Sequence, residues 1–212
     1  RRPIWRIVLE FLWPRGGWGR AAHYVKHRLR RLPDPPHRIA RGIFAGVFTT
    51  FTPFYGLHFL TAGLIAWVMR GNIPAALLST FFGNPLTYIP IITTSMYTGY
   101  WMLGLDPAHL RFRREHVEDG PTVGERFADA GRTLWDNTVA LFTSDTANWE
   151  ALRPFYDEVF YPFMIGGIVP GIITASICFY ISLPLITAYQ NRRKGVLKEK
   201  LAAIKAKAKG QD

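Results

Sequence analysis

Three long stretches of the chain contain no charged residue, and they constrain its fold more than any other feature. They cover residues 42–69, 71–105 and 159–191, and they are 28, 35 and 33 residues long. About 20 apolar residues suffice to cross a bilayer, and uncharged runs of this length are typical of membrane segments. We therefore predict an all-α, polytopic integral membrane protein rather than a soluble protein with three buried core helices.

The charged residues outside these stretches are sorted by sign along the chain. The net charge is +9 over residues 1–41, −5 over 105–158 and +6 over 159–212. Lys and Arg collect on the cytoplasmic side of membrane proteins. The pattern predicts a multi-pass protein of the bacterial inner membrane, with both termini in the cytoplasm and residues 105–158 in the periplasm. We expect no cleavable signal peptide, because the first 41 residues are too basic and their apolar runs too short.

Proline and glycine interrupt the first two uncharged stretches near their centres. A single helix over residues 37–70 would be about 50 Å long, whereas the hydrocarbon core is roughly 30 Å thick. Pro53 and Gly56, and later Asn84-Pro85, favour breaks, because proline removes a backbone hydrogen bond and glycine loosens the chain. We predict half-helices at about 38–51 and 57–70. The result is two proline-broken helical hairpins, re-entrant or short-spanning, followed by one further transmembrane segment.

These patterns divide the chain into five segments. Residues 1–36 form a basic interfacial arm, 37–104 a broken-helix membrane core, and 105–158 an acidic, partly helical extramembrane loop. Residues 159–191 form the final transmembrane segment, and 192–212 a basic cytoplasmic tail. The terminal segments are expected to be amphipathic basic helices at the membrane surface. Gly42 and Gly46 are four residues apart, which predicts a small-residue face for close helix packing.

Several short motifs keep an order and spacing that resemble one bacterial family. They are Pro36-His37-Arg38-Ile39-Ala40, Phe51-x-Pro53-x-x-Gly56, Arg70-x-Asn72, Thr80, and Asn84-Pro85-x-Thr87. Over roughly residues 20–195 the chain resembles the membrane family catalogued as domain of unknown function 2062. The resemblance implies a membrane architecture and location rather than a particular chemistry. The acidic loop at 115–158 is longer than the loops that the family leads us to expect.

Polar residues gather at the two predicted breaks, and two interpretations of them remain open. In one, they satisfy backbone groups that the prolines free. In the other, both breaks meet within the membrane and bind a small polar solute or a headgroup. The residues of this candidate helix-break site are Thr52, Pro53, Tyr55, Gly56, His58, Asn84, Pro85 and Thr87.

Basic residues towards both ends of the chain form a second candidate site. Each base near an anionic membrane surface contributes about 1 kcal/mol of attraction, and no nucleic-acid-reading motif accompanies these residues. We therefore expect anionic lipid, and other subunits of a membrane complex, as partners rather than nucleic acid. The residues of this basic patch are Arg20, Lys26, Arg28, Arg30, Arg31, Arg38, Arg192, Arg193 and Lys194.

The sequence contains no nucleophile elbow, phosphate-binding loop, metal motif or paired-carboxylate site. We therefore predict a non-enzymatic protein without catalytic residues, bound metal or cofactor. The first hypothesis is an accessory or interaction subunit of a larger membrane complex. The alternative is a carrier or lipid-handling protein that uses the helix breaks. The uncharged stretches offer no Asp or Glu for ion coupling, which favours the first hypothesis.

Overall fold

A computed structural model describes residues 34–106, 121–140 and 148–209, together with residues 23, 27, 28, 32 and 146. Every element in this part of the chain is a helix, so the all-α prediction is confirmed there. The α-helices are α1 (Pro36–Thr49), α2 (His58–Val68), α3 (Ile73–Ser79), α4 (Pro85–Leu103), α5 (Val123–Ala140), the single turn α6 (Arg153–Phe155) and α7 (Tyr161–Lys209). Two 3-10 helices lie at Thr80–Phe82 and Glu150–Leu152, and a π-helix at Tyr156–Phe160 precedes α7.

Proline and capping residues explain where several helices begin. Pro36 and Pro85 are the first residues of α1 and α4, where a missing N–H costs no helical hydrogen bond. The chain therefore breaks near Pro85 as predicted, but this proline starts a helix instead of interrupting one. Thr122 and Glu125 cap α5 reciprocally: the Thr122 N–H donates to the Glu125 carboxylate at 2.8 Å, and the Glu125 N–H donates to the Thr122 hydroxyl at 3.3 Å.

The chain folds into two compact units. Unit 1 comprises Arg1–Thr49, Gly56–Pro85 and Thr174–Asp212, and unit 2 comprises Thr50–Tyr55 and Leu86–Ile173. Helices α1, α2 and α3 therefore belong to unit 1, α5 belongs to unit 2, and α7 contributes to both. The units do not coincide with the five segments taken from the sequence, because each unit gathers helices that are distant along the chain.

Small residues let the helices of unit 1 approach one another closely. A Cβ atom added at Gly42 would lie 2.3 Å from the carbonyl oxygen of Asn72. One added at Gly46 would lie 2.2 Å from the carbonyl oxygen of Ala76, on α3. The predicted small-residue face of α1 is thus confirmed. The centre of the unit is filled by four fully buried alanines, Ala45, Ala62, Ala66 and Ala76.

In unit 2, α4 meets the start of α7 through the same kind of contact. A Cβ atom added at Gly99 would lie 1.9 Å from the carbonyl oxygen of Pro162. One added at Gly166 would lie 2.0 Å from the carbonyl oxygen of Ser95. Helix α5, from the acidic segment, joins the same apolar cluster instead of standing apart. The buried members of that cluster are Met96, Tyr100, Val123, Val159 and Phe163.

Parts of the predicted terminal and acidic segments lie outside the described residues. They include most of the arm at 1–36, with Arg20, Lys26, Arg30 and Arg31, and residues 107–120, 141–145 and 210–212. The basic tail that follows residue 191 continues α7 as a helix to Lys209.

Candidate functional site

A cluster of polar side chains in unit 1 joins the starts of α1 and α3 to the later part of α7. Asn72 lies at its centre. The side-chain oxygen of Asn72 accepts a 2.7 Å hydrogen bond from the Ala75 N–H and so caps α3. Its side-chain amide donates to the Asp34 carboxylate at 2.6 Å. Because Gln190 of α7 donates to the Asp34 carbonyl oxygen at 2.9 Å, three distant parts of the chain meet here.

Arg38 belongs to the same cluster. Its guanidinium lies 3.3 Å from the Asp34 carboxylate, and its carbonyl oxygen accepts a 2.8 Å hydrogen bond from the Asn72 N–H. A partly exposed ion pair of this kind adds little stability, about 0–1 kcal/mol. Together with the hydrogen bonds of Asn72, this ion pair holds the start of α1 beside the start of α3. Two motifs that carry the family resemblance, one around Arg38 and one around Asn72, are therefore adjacent in space.

Helix α2 ends next to this cluster in a Schellman motif. The Gly71 N–H donates to the Ala66 carbonyl oxygen at 2.7 Å, and the Arg70 N–H donates to that of Trp67 at 3.0 Å. Arg70 takes the left-handed position of the motif, with φ at 52°, and it is the one non-glycine residue with positive φ in the described part of the chain.

Basic residues from separate parts of the sequence border the polar cluster. Arg41 of α1 donates to the Met69 carbonyl oxygen at 2.9 Å. Its positive charge interacts favourably with the partial negative charge at the C-terminal end of α2. Three further bases, all exposed, follow Gln190 within about one helical turn. We name this region the basic end of unit 1, and its bases are Arg38, Arg41, Arg70, Arg192, Arg193 and Lys194. Of the predicted basic patch, Arg38 contacts Asp34, three bases follow Gln190 along α7, and Arg28 is exposed. A single lipid-binding patch stays a prediction.

The first predicted helix break forms a tight turn. Thr52 and Pro53 are buried, and the Tyr55 N–H donates to the Pro53 carbonyl oxygen at 2.9 Å, which closes a three-residue turn. Gly56 follows with φ at 86°, a conformation that suits glycine. Within unit 2, the ring of Tyr55 packs among other aromatic rings. Centroid distances are 5.1 Å to Phe127, 5.5 Å to Tyr88 and 6.0 Å to Phe163.

The second predicted break lies between the 3-10 helix and α4. The side-chain amide of Asn84 donates to the Phe82 carbonyl oxygen at 3.3 Å. Thr87 lies in the first turn of α4, and His58 is the first residue of α2. Thr52, Pro53, Tyr55 and Thr87 belong to unit 2, and Gly56, His58, Asn84 and Pro85 to unit 1. A single binding site made from all eight residues stays a prediction.

Large apolar side chains lie on the outside of α2, and small ones lie inside. Trp67 is 69% exposed and Val68 is 73% exposed, whereas Ala62 and Ala66 are fully buried. This distribution is the reverse of a water-soluble core, which buries large apolar side chains and rarely leaves extended apolar patches in solvent. Helices α4 and α7 also expose large apolar side chains, among them Leu86, Ile89, Trp101, Ile173, Tyr180 and Ile181.

One helical stretch in the described part of the chain is long and apolar enough to cross a membrane. It runs over Glu150–Val196, and only 22% of its apolar window is buried inside the protein. A buried core helix of a soluble protein would be mostly covered. The helices Ile73–Phe82 and Pro85–Leu103, separated by a bend, form a second candidate if they are counted as one broken span.

Sequence reasoning misses the polar cluster as a unit. Asn72 followed by Ile73-Pro74 is a readable helix start, because asparagine caps helices well and proline suits their first turn. Nothing in the sequence pairs Asp34 with Gln190, which is 156 residues away. The hydrogen bond from the Tyr100 hydroxyl to the carbonyl oxygen of Glu158, 58 residues away, is missed for the same reason.

The described residues form an all-helical protein in which one helical stretch is long and apolar enough to cross a membrane. The chain belongs to the bacterial family described as "Uncharacterized protein conserved in bacteria (DUF2062)", whose model matches residues 19–195. The resemblance seen in the sequence motifs is therefore confirmed. No curated protein and no solved structure matches the chain.

Proposed function

We propose that this chain is a non-enzymatic, multi-pass protein of the bacterial inner membrane that acts as an accessory subunit of a larger membrane complex. The observation that carries the proposal is the reversed distribution of side chains on α2, with alanines inside and Trp67 and Val68 outside. Such a surface requires a covering of lipid or of neighbouring transmembrane helices. Close backbone packing at Gly42 and Gly46 is the usual means by which membrane helices associate.

The proposed topology places the basic end of unit 1 at the cytoplasmic surface. Arg41 bonds to Met69 there, so α1 and α2 would enter and leave the membrane on the same side as a re-entrant hairpin. The broken pair Ile73–Phe82 and Pro85–Leu103 would then cross to the periplasm, and the stretch Glu150–Val196 would return. Both termini are cytoplasmic in this arrangement, and residues 105–158 are periplasmic, in agreement with the charge pattern.

Cysteine labelling tests this topology, because the chain has a single cysteine, Cys178, that serine can replace. In that background we would introduce Asp129→Cys on α5 or Lys194→Cys after Gln190. A membrane-impermeant maleimide should label the first in cells with a permeabilised outer membrane, and the second only after the inner membrane is opened. Labelling in the opposite order would contradict the topology.

The interaction role is favoured over the carrier role by what surrounds the first helix break. The ring of Tyr55 already packs against three other rings at 5.1–6.0 Å, so aromatic side chains take up the space beside it. On α5, Leu134 and Trp135 are 48% and 69% exposed. In the proposed topology these side chains face the periplasm or the membrane surface, where another subunit can cover them.

Co-purification of the full chain from native membranes tests the interaction role. A tagged chain extracted in a mild detergent should carry the same subunits, in fixed stoichiometry, through repeated preparations. The double variant Leu134→Ser/Trp135→Ser should still insert and fold but should lose some of those subunits, while Arg132→Gln on the same helix serves as the matched control. A monodisperse monomer with no associated subunit would contradict the proposal.

A further inference from the structure

Arg70 occupies a backbone position that suits few residues. It is the residue after the α2 cap in a Schellman motif, with φ at 52°, and glycine or asparagine usually takes this place because a Cβ atom is disfavoured there. The next residue, Gly71, has no room for a side chain, since an added Cβ would lie 2.9 Å from the Gly42 nitrogen. The chain therefore carries a strained arginine directly before an obligatory glycine.

The same motif ends α4, and there the chain uses glycine. The Leu105 N–H donates to the Tyr100 carbonyl oxygen at 2.9 Å, and the Gly104 N–H donates to that of Trp101 at 3.3 Å. Gly104 takes the left-handed position with φ at 66°. The left-handed conformation costs free energy at Arg70, which has a Cβ atom, but not at Gly104, which has none. A strained residue that persists where a simpler one would fit points to a role for its side chain.

The side chain of Arg70 is exposed and makes no hydrogen bond or ion pair with any described residue. Its neighbour Arg41 is already engaged with the Met69 carbonyl oxygen. Three and two residues before Arg70, Trp67 and Val68 are 69% and 73% exposed, so exposed apolar side chains at the end of α2 are followed in the chain by this arginine. Tryptophan followed by a cation is typical of the depth at which lipid headgroups lie.

We propose that Arg70 binds the phosphate of an anionic phospholipid headgroup at the basic end of unit 1. The guanidinium fork matches the phosphate oxygens in geometry and charge, and the acyl chains of the same lipid would cover Trp67 and Val68. A carboxylate on a partner protein would satisfy the charge but would leave the adjoining apolar surface uncovered. This inference rests on the membrane location given in the proposed function.

The full chain, purified in an uncharged detergent, would be titrated with mixed micelles of phosphatidylglycerol or of phosphatidylcholine. Native mass spectrometry counts the retained lipids, and thermal unfolding measures the stabilisation that each lipid produces. Wild type should be stabilised more by phosphatidylglycerol. Arg70→Gly should unfold at the same or a higher temperature without lipid and lose about fivefold in affinity for phosphatidylglycerol, as expected for one base near an anionic surface. Arg70→Lys should fall between them.

Two variants serve as matched controls. Gly104→Arg places the same residue in the same motif at the other helix end. It should lower the unfolding temperature, because a residue with a Cβ atom is disfavoured in the left-handed position. Arg132→Gln removes an exposed arginine from α5 and should leave the lipid preference unchanged.

The outcomes separate this inference from the proposed function. If wild type gains no more from phosphatidylglycerol than from phosphatidylcholine, the anionic-lipid partner itself is excluded. If wild type shows the preference and Arg70→Gly keeps it, only the role of Arg70 is overturned. Loss of co-purifying subunits in Arg70→Gly, with lipid preference intact, would assign the residue to a protein contact instead.

Discussion

The hydroxyl of Tyr100 donates a 2.9 Å hydrogen bond to the carbonyl oxygen of Glu158. Residue 162 is a proline, so it cannot donate the usual helical hydrogen bond to this carbonyl, four residues earlier. The π-helix Tyr156–Phe160 lies at the same place. The side chain of Glu158 meanwhile forms an ion pair with Arg126 of α5. Tyr100 of α4 thus supplies the hydrogen bond that the Glu158 carbonyl oxygen lacks in the π-helix before α7. Arg126 of α5 pairs with the side chain of the same glutamate.

We expect Tyr100→Phe to lower the free energy of unfolding by about 1–2 kcal/mol, because it leaves a partly buried carbonyl without this donor. Unfolding in detergent, followed by circular dichroism, measures the loss. Tyr180→Phe is the control, since that hydroxyl lies on a ring that is 71% exposed. Equal stability of Tyr100→Phe and wild type would show that another donor serves the Glu158 carbonyl.

Gly99→Ala should destabilise the protein by about 1–3 kcal/mol or more, because the new methyl group meets backbone that cannot move aside. The added Cβ would lie 1.9 Å from the carbonyl oxygen of Pro162. Gly131→Ala on α5 should have the opposite effect, since nothing lies within 4 Å of its added Cβ. It should stabilise that helix by about 0.5–1 kcal/mol through helix propensity. Thermal midpoints of the two variants in one detergent give the comparison, and the same sign for both would contradict it.

On α2, enlarging a buried small residue should destabilise the protein more than shortening an exposed large apolar residue. Ala66 is fully buried and Leu64 is 53% exposed. Ala66→Leu should cost about 1–3 kcal/mol by overfilling the alanine core. Leu64→Ala should change stability by less than about 0.5 kcal/mol, as is usual for surface positions. Urea or SDS titrations of purified variants measure both, and a larger loss for Leu64→Ala would show that this face packs against the protein.

Asn72 performs two tasks that substitutions can separate. Asn72→Ala should cost about 1–2 kcal/mol, because α3 loses its cap. Asn72→Asp keeps the capping oxygen but brings a second carboxylate to the Asp34 carboxylate, which Asn72 contacts at 2.6 Å. At neutral pH the two negative charges repel, so this variant should be less stable than wild type.

Acidification distinguishes the two effects at Asn72. At low pH the carboxyl group introduced at residue 72 gains a proton and can donate to the Asp34 carboxylate. The stability of Asn72→Asp relative to wild type should therefore rise as the pH falls, while that of Asn72→Ala relative to wild type should change less. Parallel pH dependence of the two variants would contradict the Asp34 contact.

The sequence predicts the helices and their breaks closely, because these depend on residues near one another in the chain. The half-helices expected at about 38–51 and 57–70 are observed as α1 (Pro36–Thr49) and α2 (His58–Val68). Proline, glycine and the absence of charge act locally, so their effect can be read without knowing the fold. The small-residue face at Gly42 and Gly46 is equally local, and it is confirmed.

The candidate sites are predicted less completely. The sequence indicates Arg38 and Arg192 as members of the predicted basic patch by their charge, which is a property of single residues. The strained conformation of Arg70 cannot be predicted from the sequence, because a left-handed arginine has no sequence signature. The polar contacts of Asp34 have no sequence signature either, since Asn72 and Gln190 reach it only once the helices have packed.

Hydropathy, charge and the positions of proline and glycine can be read from the sequence alone, and they predict the helical class of the described residues and the approximate bounds of α1 and α2. Folding adds the grouping of helices into units, the hydrogen bond from Gln190 to Asp34 across 156 residues, and the hydrogen bond from Tyr100 to the carbonyl oxygen of Glu158. The two kinds of feature differ in how far apart the interacting residues lie along the chain. Hydropathy and backbone preference act within a few residues, whereas these contacts require several helices to pack at once, with backbones brought together at glycines such as Gly99.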